Sequence, residues 1–312
     1  MIRHLTHNEI DKARWDDCIG HALNGNIYAL SWYLDLIHPR WDAIVEDDYR
    51  TVMPLTGKTK WGVGYMCQPF FAQQLGVFSK DYLTEEIMTS FLDVLSQKYR
   101  LIEICLNTNN PLPEHCHYVS WHRNCELRLN ADYSTLSYRY HDNTRRNLKK
   151  ARRAELTIND DVGVDAVIAL FRDNKGREVS HWGDIEYARL SKLVAEAMLR
   201  GCCFLKGVSD LSTGRVMAGA IFMKYKNKLV FLFSGVDAEA KARHAMTFLI
   251  DNVIQEYADT AYILDFEGSD DDNLARFYLG FGADELSYPG YAINRMNPII
   301  QRLLSLWRRL KK

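Results

Sequence analysis

Apolar and polar residues recur along the chain with the spacing of strands and helices in alternation. In the first half, the alternating segment 41–55 predicts two strands that turn at 46–49. A helix follows, because apolar residues recur there at intervals of three and four positions. Its stripe consists of Met88, Phe91, Leu92, Leu95 and Tyr99. The pattern predicts a fold of mixed strands and helices.

The most informative segment is 229–284. "LVFLFSGV" predicts a buried strand that leads into a long amphipathic helix, and "AYILDFEG" predicts a second buried strand. An acidic turn then precedes a short helix that carries Asn273 and Tyr278, and the sequence Gly-Phe-Gly follows this helix. The order strand, polar turn, strand, strand, long helix, strand also occurs in the first half, which indicates a weak internal repeat.

The segments "YRYHDNTRRNLKKARRAEL" and "LDFEGSDDDNLARFYLGFGA" carry a resemblance to a known superfamily. The second resembles the acyl-CoA-binding half of GNAT acetyltransferases, and the first resembles the entry helix of the tandem-GNAT FemABX group. The resemblance implies an α/β fold of two tandem GNAT-like (acyl-CoA N-acyltransferase) domains, each a mixed twisted sheet flanked by helices. We expect domains at 1–131 and 132–298, of which the second binds the donor, and a basic amphipathic helix at 299–312.

Composition and charge narrow the range of possible functions and locations. The formal net charge is -1, which does not favour a general nucleic-acid-binding protein. No charged-then-apolar leader or long apolar run is visible, and the seven cysteines are scattered, so we expect a cytoplasmic protein with reduced thiols and no metal. The tail 299–312 has one apolar stripe and several cations, which is typical of helices that lie on an anionic membrane or pack on protein.

The resemblance assigns the donor site. In GNAT enzymes the acyl thioester lies along a strand, here Phe233, Ser234, Gly235 and Val236, and the pyrophosphate lies at the start of the next helix. The corresponding residues at that helix start are Arg243, His244 and Ala245, with Asn273 nearby to orient acyl-CoA or acetyl-CoA. The family's loop Arg/Gln-x-x-Gly-x-Gly/Ala is "AKARHA" in this chain, so a second donor, aminoacyl-tRNA, stays open.

Catalytic candidates lie in the last strand and helix. Tyr278 aligns with the tyrosine that protonates the leaving thiolate in many GNAT enzymes, a role that suits a phenol of pKa about 10. Asp265 and Glu267 alternate with apolar residues, so both carboxylates lie on one strand face. A carboxylate near the end of a buried strand can act as the base that deprotonates an amine or hydroxyl.

Acceptor-binding candidates come from two other segments. Arg145 and Lys149 share a helix face in the run "RRNLKKARR" and could bind the phosphates of a nucleotide-linked acceptor or of tRNA. The loop "REVSHWGDIEY" corresponds to the GNAT acceptor loop, which suggests His181, Trp182 and Tyr187 as further contacts.

These expectations combine into one hypothesis and two alternatives. We expect an acyltransferase that moves an acyl or aminoacyl group to an amine or hydroxyl, by direct attack in a ternary complex, with a cell-envelope precursor as one candidate acceptor. The alternatives are a Fem-type transferase that uses aminoacyl-tRNA and a GNAT fold that binds without catalysis. The oligomeric state does not follow from the sequence.

Overall fold

The structure is a computed structural model that describes residues 1–60, 62–114, 116–177, 182–268, 270–298 and 301–302. It divides into two compact units. The first comprises Met1–His122 together with Ser287–Lys312, and the second comprises Arg123–Leu286.

Among its described residues, the first unit contains two sets of strands and three α-helices. One sheet has the order β1-β2-β3-β6, and a second set has the order β4-β5-β7-β14. The strands are β1 Ile2–Leu5, β2 Asp42–Glu46, β3 Thr51–Leu55, β4 Gly57–Lys60, β5 Val63–Cys67, β6 Phe78–Ser79 and β7 Leu101–Cys105, with β8 Val119–Arg128 and β14 Asp284–Asn294 shared between the units. The helices are α1 Lys12–His21, α2 Ser31–Ile37 and α3 Glu85–Lys98, with 3-10 turns at His7–Glu9 and Ile27–Ala29.

The second unit carries its strands in the order β8-β13-β12-β11-β10-β9. Its helices are α4 Tyr133–Tyr138, α5 Asp142–Ala151, α6 Val164–Asp173, α7 Asp184–Leu199, α8 Ala238–Ala242, α9 Ala245–Glu256 and α10 Asp272–Leu279, with a 3-10 turn at Lys175–Arg177. Its other strands are β9 Leu156–Asn159, β10 Cys203–Asp210, β11 Val216–Tyr225, β12 Lys228–Val236 and β13 Ile263–Asp265. The hairpin expected from the sequence is β10–β11, and the basic segment forms α5.

Both limits of the second unit lie earlier in the chain than the expected 132 and 298. The reason is strand pairing. Glu126–Arg128 of β8 pair with β13, so these residues belong to the second unit. Gly290–Asn294 of β14 pair with β7 and belong to the first. Of the expected helix 299–312, all but residues 301 and 302 lie outside the described residues.

The core of the second unit forms where one face of its sheet meets α9 and α10. Side chains from alternating strand positions, such as Leu127, Leu229 and Leu264, are fully buried there. They pack against Leu249 and Ile250 of α9. Because successive strand residues point to opposite faces, their chain neighbours at 126, 228 and 265 lie on the other face of the sheet.

A buried carboxylate ties the basic helix α5 and its predecessor α4 to α9. Asp251 of α9 accepts hydrogen bonds from the hydroxyls of Tyr133, at 2.8 Å, and Tyr140, at 3.0 Å. It also pairs with the guanidinium of Arg152 at 3.0 Å. Burial, then the hydrogen bond to Asp251, raises the pKa of Tyr133 to about 12, so this hydroxyl remains a donor at neutral pH. The network therefore fixes the position of α5.

Asp251→Ala is expected to lower the free energy of unfolding by about 2 kcal/mol, because the enclosed Tyr140 hydroxyl loses its acceptor. The half-exposed Arg152 can return to water, which limits the loss. Urea denaturation provides the measurement. Tyr133→Phe, which keeps the bond from Tyr140, serves as the milder comparison, and equal stability of Asp251→Ala and wild type would contradict the role of the network.

Candidate active site

Two parallel strands of the second unit separate partway along their length. β12 pairs with β13 through Lys228↔Ile263, Leu229↔Leu264 and Val230↔Asp265. β13 then ends, whereas β12 continues to Val236 beside β11. The ladder between β11 and β12 shifts register at this level, which places a bulge in β12 around Leu232. The result is an opening at the carboxyl end of the two strands, where α/β sheets commonly bind ligands.

The chain turns sharply as it leaves β13. Glu267 and Gly268 both adopt left-handed backbone conformations, with φ of 58° and 59°. A Cβ atom at position 268 would lie 2.3 Å from the carbonyl oxygen of Arg123, so only glycine fits there. Glu267 pays a conformational cost for this turn because it has a side chain. The strand predicted over 261–268 therefore ends at Asp265, and Glu267 lies in the turn beyond it.

Tyr278 lies on the buried side of α10. It is 6% exposed, and its ring stacks on Phe266 with a centroid distance of 4.8 Å and an interplanar angle of 17°. Burial raises the pKa of the Tyr278 hydroxyl, and the charge of Glu267 raises it further. The phenol is therefore protonated at neutral pH, and the structure brings together these two residues that the sequence proposed as catalytic.

Asp265 lies in a cluster of charges on the face of the sheet opposite to the α9 core. Lys228 contacts Oδ2 of Asp265 at 3.0 Å and Oε1 of Glu126 at 2.5 Å. Oδ1 of Asp265 accepts the backbone N–H of Glu267 at 3.0 Å. Glu126 stands directly opposite Asp265 in the β8–β13 ladder. The sequence had not suggested Glu126 or Lys228.

The predicted donor strand is closely covered on one side by α6. At Gly235 a Cβ atom would lie 2.4 Å from the backbone oxygen of Val167 and 2.7 Å from the backbone nitrogen of Phe171. The side chain of Asn174 donates a hydrogen bond to the Val236 carbonyl at 2.7 Å. Ser234 is half-buried between these positions. This close approach explains the glycine and fixes the strand on its helix.

The single long helix expected after this strand is two helices, α8 and α9. They are separated at Arg243 and His244, and His244 is left-handed with φ of 57°. The guanidinium of Arg243 pairs with Asp210 at 2.6 Å and Glu239 at 3.0 Å, and it also donates to the Ala154 carbonyl. These contacts hold the break in place. They also engage the cation that the sequence assigned to a pyrophosphate.

The other two residues at this helix start differ in their surroundings. Ala245 is fully buried, which permits close packing of the first turn of α9. Burial lowers the pKa of His244, and the charge of nearby Lys150 on α5 lowers it further. The start of α9 therefore lies beside the basic helix.

The side chains of four exposed cations in the basic segment make no ion pair or hydrogen bond with any residue that the structure describes. Their spacing of three, four and seven positions places them on one side of α5 and its exit. They are Arg146, Lys149, Lys150 and Arg153. Arg145, by contrast, is paired with Asp142 at 2.7 Å and donates to the Tyr138 carbonyl. Lys149 is thus available for a ligand, whereas Arg145 is held by its own helix.

An aromatic cluster joins α6, α7 and β12. Trp182 stacks over Phe233 with a centroid distance of 5.8 Å and an angle of 17°, and Phe171 contacts both rings. Tyr187 packs beside Trp182 and beneath the guanidinium of Arg172. The structure therefore brings the predicted acceptor residues Trp182 and Tyr187 to the predicted donor residue Phe233. His181 lies outside the described residues.

Asn273 is a predicted donor-binding residue that does not lie beside Tyr278. It is exposed in the first turn of α10, and its backbone N–H bonds to the capping carboxylate of Asp271 at 2.9 Å. Tyr278 lies on the buried side of the same helix. The structure therefore does not bring the Asn273 side chain together with the tyrosine.

Comparisons with known proteins give the class to which this architecture belongs. The family model described as an acetyltransferase (GNAT) domain matches residues 138–273. No curated protein sequence matches the chain. Residues 138–273 are thus a GNAT domain, and this range includes the separating strands β12 and β13.

Solved structures extend the likeness to both units. FemX superposes with a TM-score of 0.65 at 13% identity, covering 99% of this chain and 100% of FemX. A tandem GNAT protein from the clavulanic acid biosynthesis pathway gives 0.54 at 10% identity, covering 95% and 99%. The C-terminal domain of a protein from Agrobacterium fabrum assigned as a lysylphosphatidylglycerol synthetase gives 0.53 at 11%, covering 91% and 92%.

Residues 138–273 thus match a GNAT domain, and the fold of the whole chain is similar to that of FemX and of the tandem GNAT protein, with two GNAT-like domains as the sequence predicted. Within the described ranges, no helix is both long and apolar enough to cross a membrane.

Proposed function

We propose that this protein is an acyltransferase that moves an acyl group from a thioester donor to an amine or hydroxyl acceptor. The observation that carries the proposal is the opening between β12 and β13, with the protonated hydroxyl of the buried Tyr278 of α10 beside it. A thioester in the opening can bond to backbone groups of β12 beyond Val230, which β13 leaves unpaired. The GNAT domain over 138–273 supports the same reaction class.

The proposed reaction is direct attack in a ternary complex. As the acceptor attacks the acyl carbon, the bond to sulfur breaks and negative charge develops on the leaving thiolate. Tyr278 donates its proton to that sulfur, which its raised pKa permits because the phenol is not ionised beforehand. Glu267 and Asp265 are the carboxylates at the strand end that could receive the acceptor's proton. Asp265 accepts hydrogen bonds at both of its oxygens, from Lys228 and from the Glu267 N–H.

Acyl-CoA is the donor we propose, and aminoacyl-tRNA is the second candidate. The second is favoured by the exposed cations Arg146, Lys149, Lys150 and Arg153, which present four positive charges to a polyanion. The engagement of Arg243 by Asp210 and Glu239 removes one cation from the place where CoA pyrophosphate is expected. Trp182 and Tyr187 would contact the acceptor beside Phe233.

A cell-envelope precursor, including a lipid, is the acceptor class that we favour. One structural neighbour is assigned as a lysylphosphatidylglycerol synthetase, which names a lipid product for that protein. The tail 299–312 has the sequence pattern of a basic amphipathic helix, so it could bring the protein to an anionic membrane surface. Sedimentation with vesicles of phosphatidylglycerol and phosphatidylcholine tests this contact, and recovery of the protein in the supernatant at low salt would contradict it.

Calorimetry with acetyl-CoA, longer acyl-CoAs and free CoA tests the donor. We expect saturable micromolar binding of an acyl-CoA and release of free thiol when an amine acceptor is added. If acyl-CoAs do not bind at millimolar concentration while aminoacyl-tRNA binds and loses its aminoacyl group, the second donor is correct. If neither donor binds, the acyltransferase proposal is wrong.

Lys149→Glu is expected to weaken binding of the phosphate-bearing substrate about tenfold at low salt, and less at high salt, because the lost interaction is electrostatic. The matched control is Lys192→Glu, which reverses the charge of another exposed lysine in the same unit, on α7. Equal effects of the two variants would show that only the net charge matters, and would contradict a phosphate contact at Lys149.

A further inference from the structure

The charge cluster on the second unit's sheet contains a carboxylate that is better placed to accept a proton than Asp265, one of the two residues expected from the sequence. Its members are Glu126 on β8, Lys228 on β12 and Asp265 on β13. Glu126 and Asp265 are paired positions of the ladder, so their side chains project side by side. Lys228 bridges them, with Nζ at 2.5 Å from Glu126 and 3.0 Å from Asp265.

The two carboxylates differ in their free hydrogen-bonding capacity. Asp265 accepts Lys228 at one oxygen and the Glu267 N–H at the other, and its side chain is 7% exposed. In Glu126, Oε1 accepts both Lys228 and the Asn124 amide, so Oε2 has no donor among the residues of the described ranges. The side chain of Glu126 is 13% exposed. Glu126 therefore retains an oxygen that can receive a proton.

A second observation marks the same face of the sheet. Asn124 is fully buried two positions before Glu126, so both side chains lie on one side of β8. The amide nitrogen of Asn124 donates to Glu126 at 3.3 Å, whereas its Oδ1 is enclosed and accepts no hydrogen bond within the described part of the chain. Exchanging the amide nitrogen and oxygen of Asn124 would point the oxygen at the carboxylate of Glu126. Two acceptors would then face each other, which is unfavourable. An enclosed carbonyl oxygen without a donor is costly, and it marks a place for an N–H or O–H group of a ligand.

The cluster lies on the same face of the sheet as the aromatic residues at the opening. Phe233 pairs with Ile221 on β11, whose neighbours Ala220 and Phe222 face the α9 core. Phe233 therefore lies on the face opposite to that core, together with the cluster, and Trp182 stacks over it. Asp265 is the last paired residue of β13 before the strands separate. A molecule held against Trp182 would thus approach the opening from the side that carries Glu126.

We propose that Glu126 takes the proton that the acceptor loses, with Asp265 and Lys228 as its positioning residues. This inference rests on the acyltransferase function proposed above. As the acceptor's nitrogen or oxygen bonds to the acyl carbon, its proton passes to Oε2 of Glu126. The bond from the acyl carbon to sulfur breaks, its electron pair stays on sulfur, and the Tyr278 hydroxyl protonates the thiolate. Glu126 then releases its proton to water, and the Tyr278 phenolate regains one.

The surrounding charges suit this role. Burial raises the pKa of Glu126, the charge of Asp265 raises it further, and Lys228 opposes both effects. For Lys228, burial acts to lower the pKa, but the two carboxylates outweigh it and the net shift is upward. With both carboxylates ionised beside one ammonium group the cluster carries one negative charge, and proton uptake by Glu126 neutralises it. Uptake is favoured in a buried site for that reason.

Carbon-13 NMR titration of the side-chain carboxyl groups tests the proton-accepting group without any substrate. We expect one glutamate resonance, absent from Glu126→Gln, with a midpoint above the usual 4.3 of glutamate. Lys228→Met should raise that midpoint further, because it removes the opposing positive charge, and Lys228→Arg should restore it. A midpoint at or below the usual value would show an ordinary structural ion pair and would overturn the proposal.

The raised proton affinity of Glu126 in the folded state should also make the stability of the protein depend on pH. Because the folded protein binds the proton of Glu126 more tightly than the unfolded chain, its stability relative to Glu126→Gln should fall as the pH rises from about 4.3 through the folded-state pKa. Urea unfolding at a series of pH values measures the difference between the two proteins. A difference that is independent of pH would count against the proposal.

Turnover of acetyl-CoA, followed by thiol release, tests the catalytic role. Glu126→Gln should lower kcat about 100-fold or more, leave donor binding unchanged, and abolish the rise of the rate with pH. The control Glu256→Gln removes a carboxylate from the buried Lys206 and should retain the wild-type rate. Wild-type kcat and pH profile in Glu126→Gln would overturn the inference. Absence of turnover in the wild type would instead contradict the proposed donor, and the titration would still decide whether Glu126 is the proton acceptor.

Discussion

Tyr278→Phe is expected to lower kcat by about 100- to 10,000-fold while donor binding and the fold are retained. The hydroxyl supplies the proton for the leaving group, and general acid catalysis contributes rate factors of this size. The ring itself packs on Phe266 and Phe231, and phenylalanine preserves those contacts. The loss should therefore appear in kcat and not in the free energy of unfolding.

The measurement compares single-turnover rates and calorimetric donor affinity in the same preparation. Tyr140→Phe is a matched control, since it also removes a buried hydroxyl in the second unit, but from the network of Asp251. It should reduce stability and leave kcat near the wild-type value. If Tyr278→Phe retains wild-type kcat, Tyr278 is a packing residue and the leaving group is protonated by another route.

Gly268→Ala is expected to have the largest effect on stability, a loss of about 2 to 5 kcal/mol. The position has φ of 59°, which disfavours any residue with a Cβ atom, and that atom would lie 2.3 Å from the Arg123 carbonyl oxygen and 2.5 Å from the Asn124 Cα. Left-handed backbone costs about 1 to 2 kcal/mol, and forcing an atom into backbone neighbours adds about 1 to 3 kcal/mol. The turn beyond β13 must move to accommodate it.

The variant Gly201→Ala separates the cost of the left-handed backbone from the cost of the close contact. Gly201 has φ of 67°, but no atom lies within 4 Å of its added Cβ, so only the conformational cost applies. Urea denaturation of both variants should show a loss of about 1 to 2 kcal/mol for Gly201→Ala and a larger loss for Gly268→Ala. Equal losses would mean that the contact with β8 does not hold the turn in place.

What the sequence could predict depended on whether the signal was local. The apolar stripes and the hairpin β10–β11 depend on neighbouring residues, and so did the helix that carries Tyr278. Glu126 depends on which strand pairs with β13, and that strand lies far away in the chain. Its polar positions alternate in "NCELR", but this pattern alone does not identify a partner.

Two local predictions failed because distant contacts overrode the intrinsic preference of the segment. "AKARHAM" consists of strong helix formers apart from His244, yet Arg243 is held by Asp210 and by the Ala154 carbonyl, and the helix breaks at His244. The strand expected over 261–268 stops at Asp265 because Gly268 packs against Arg123 and Asn124. The second of these departures lies at the end of β13, where β12 and β13 separate.

The division of the chain constrains the order in which the protein can fold during synthesis. The ribosome produces β7, then the whole of the second unit, and only afterwards β14, which pairs with β7. The second unit is one continuous stretch of chain, so it can form while the first still lacks a strand. Until β14 emerges, β7 has an exposed edge, and unpaired edges invite association with other chains. The usual order, in which the amino-terminal domain is completed first, is therefore reversed in this protein.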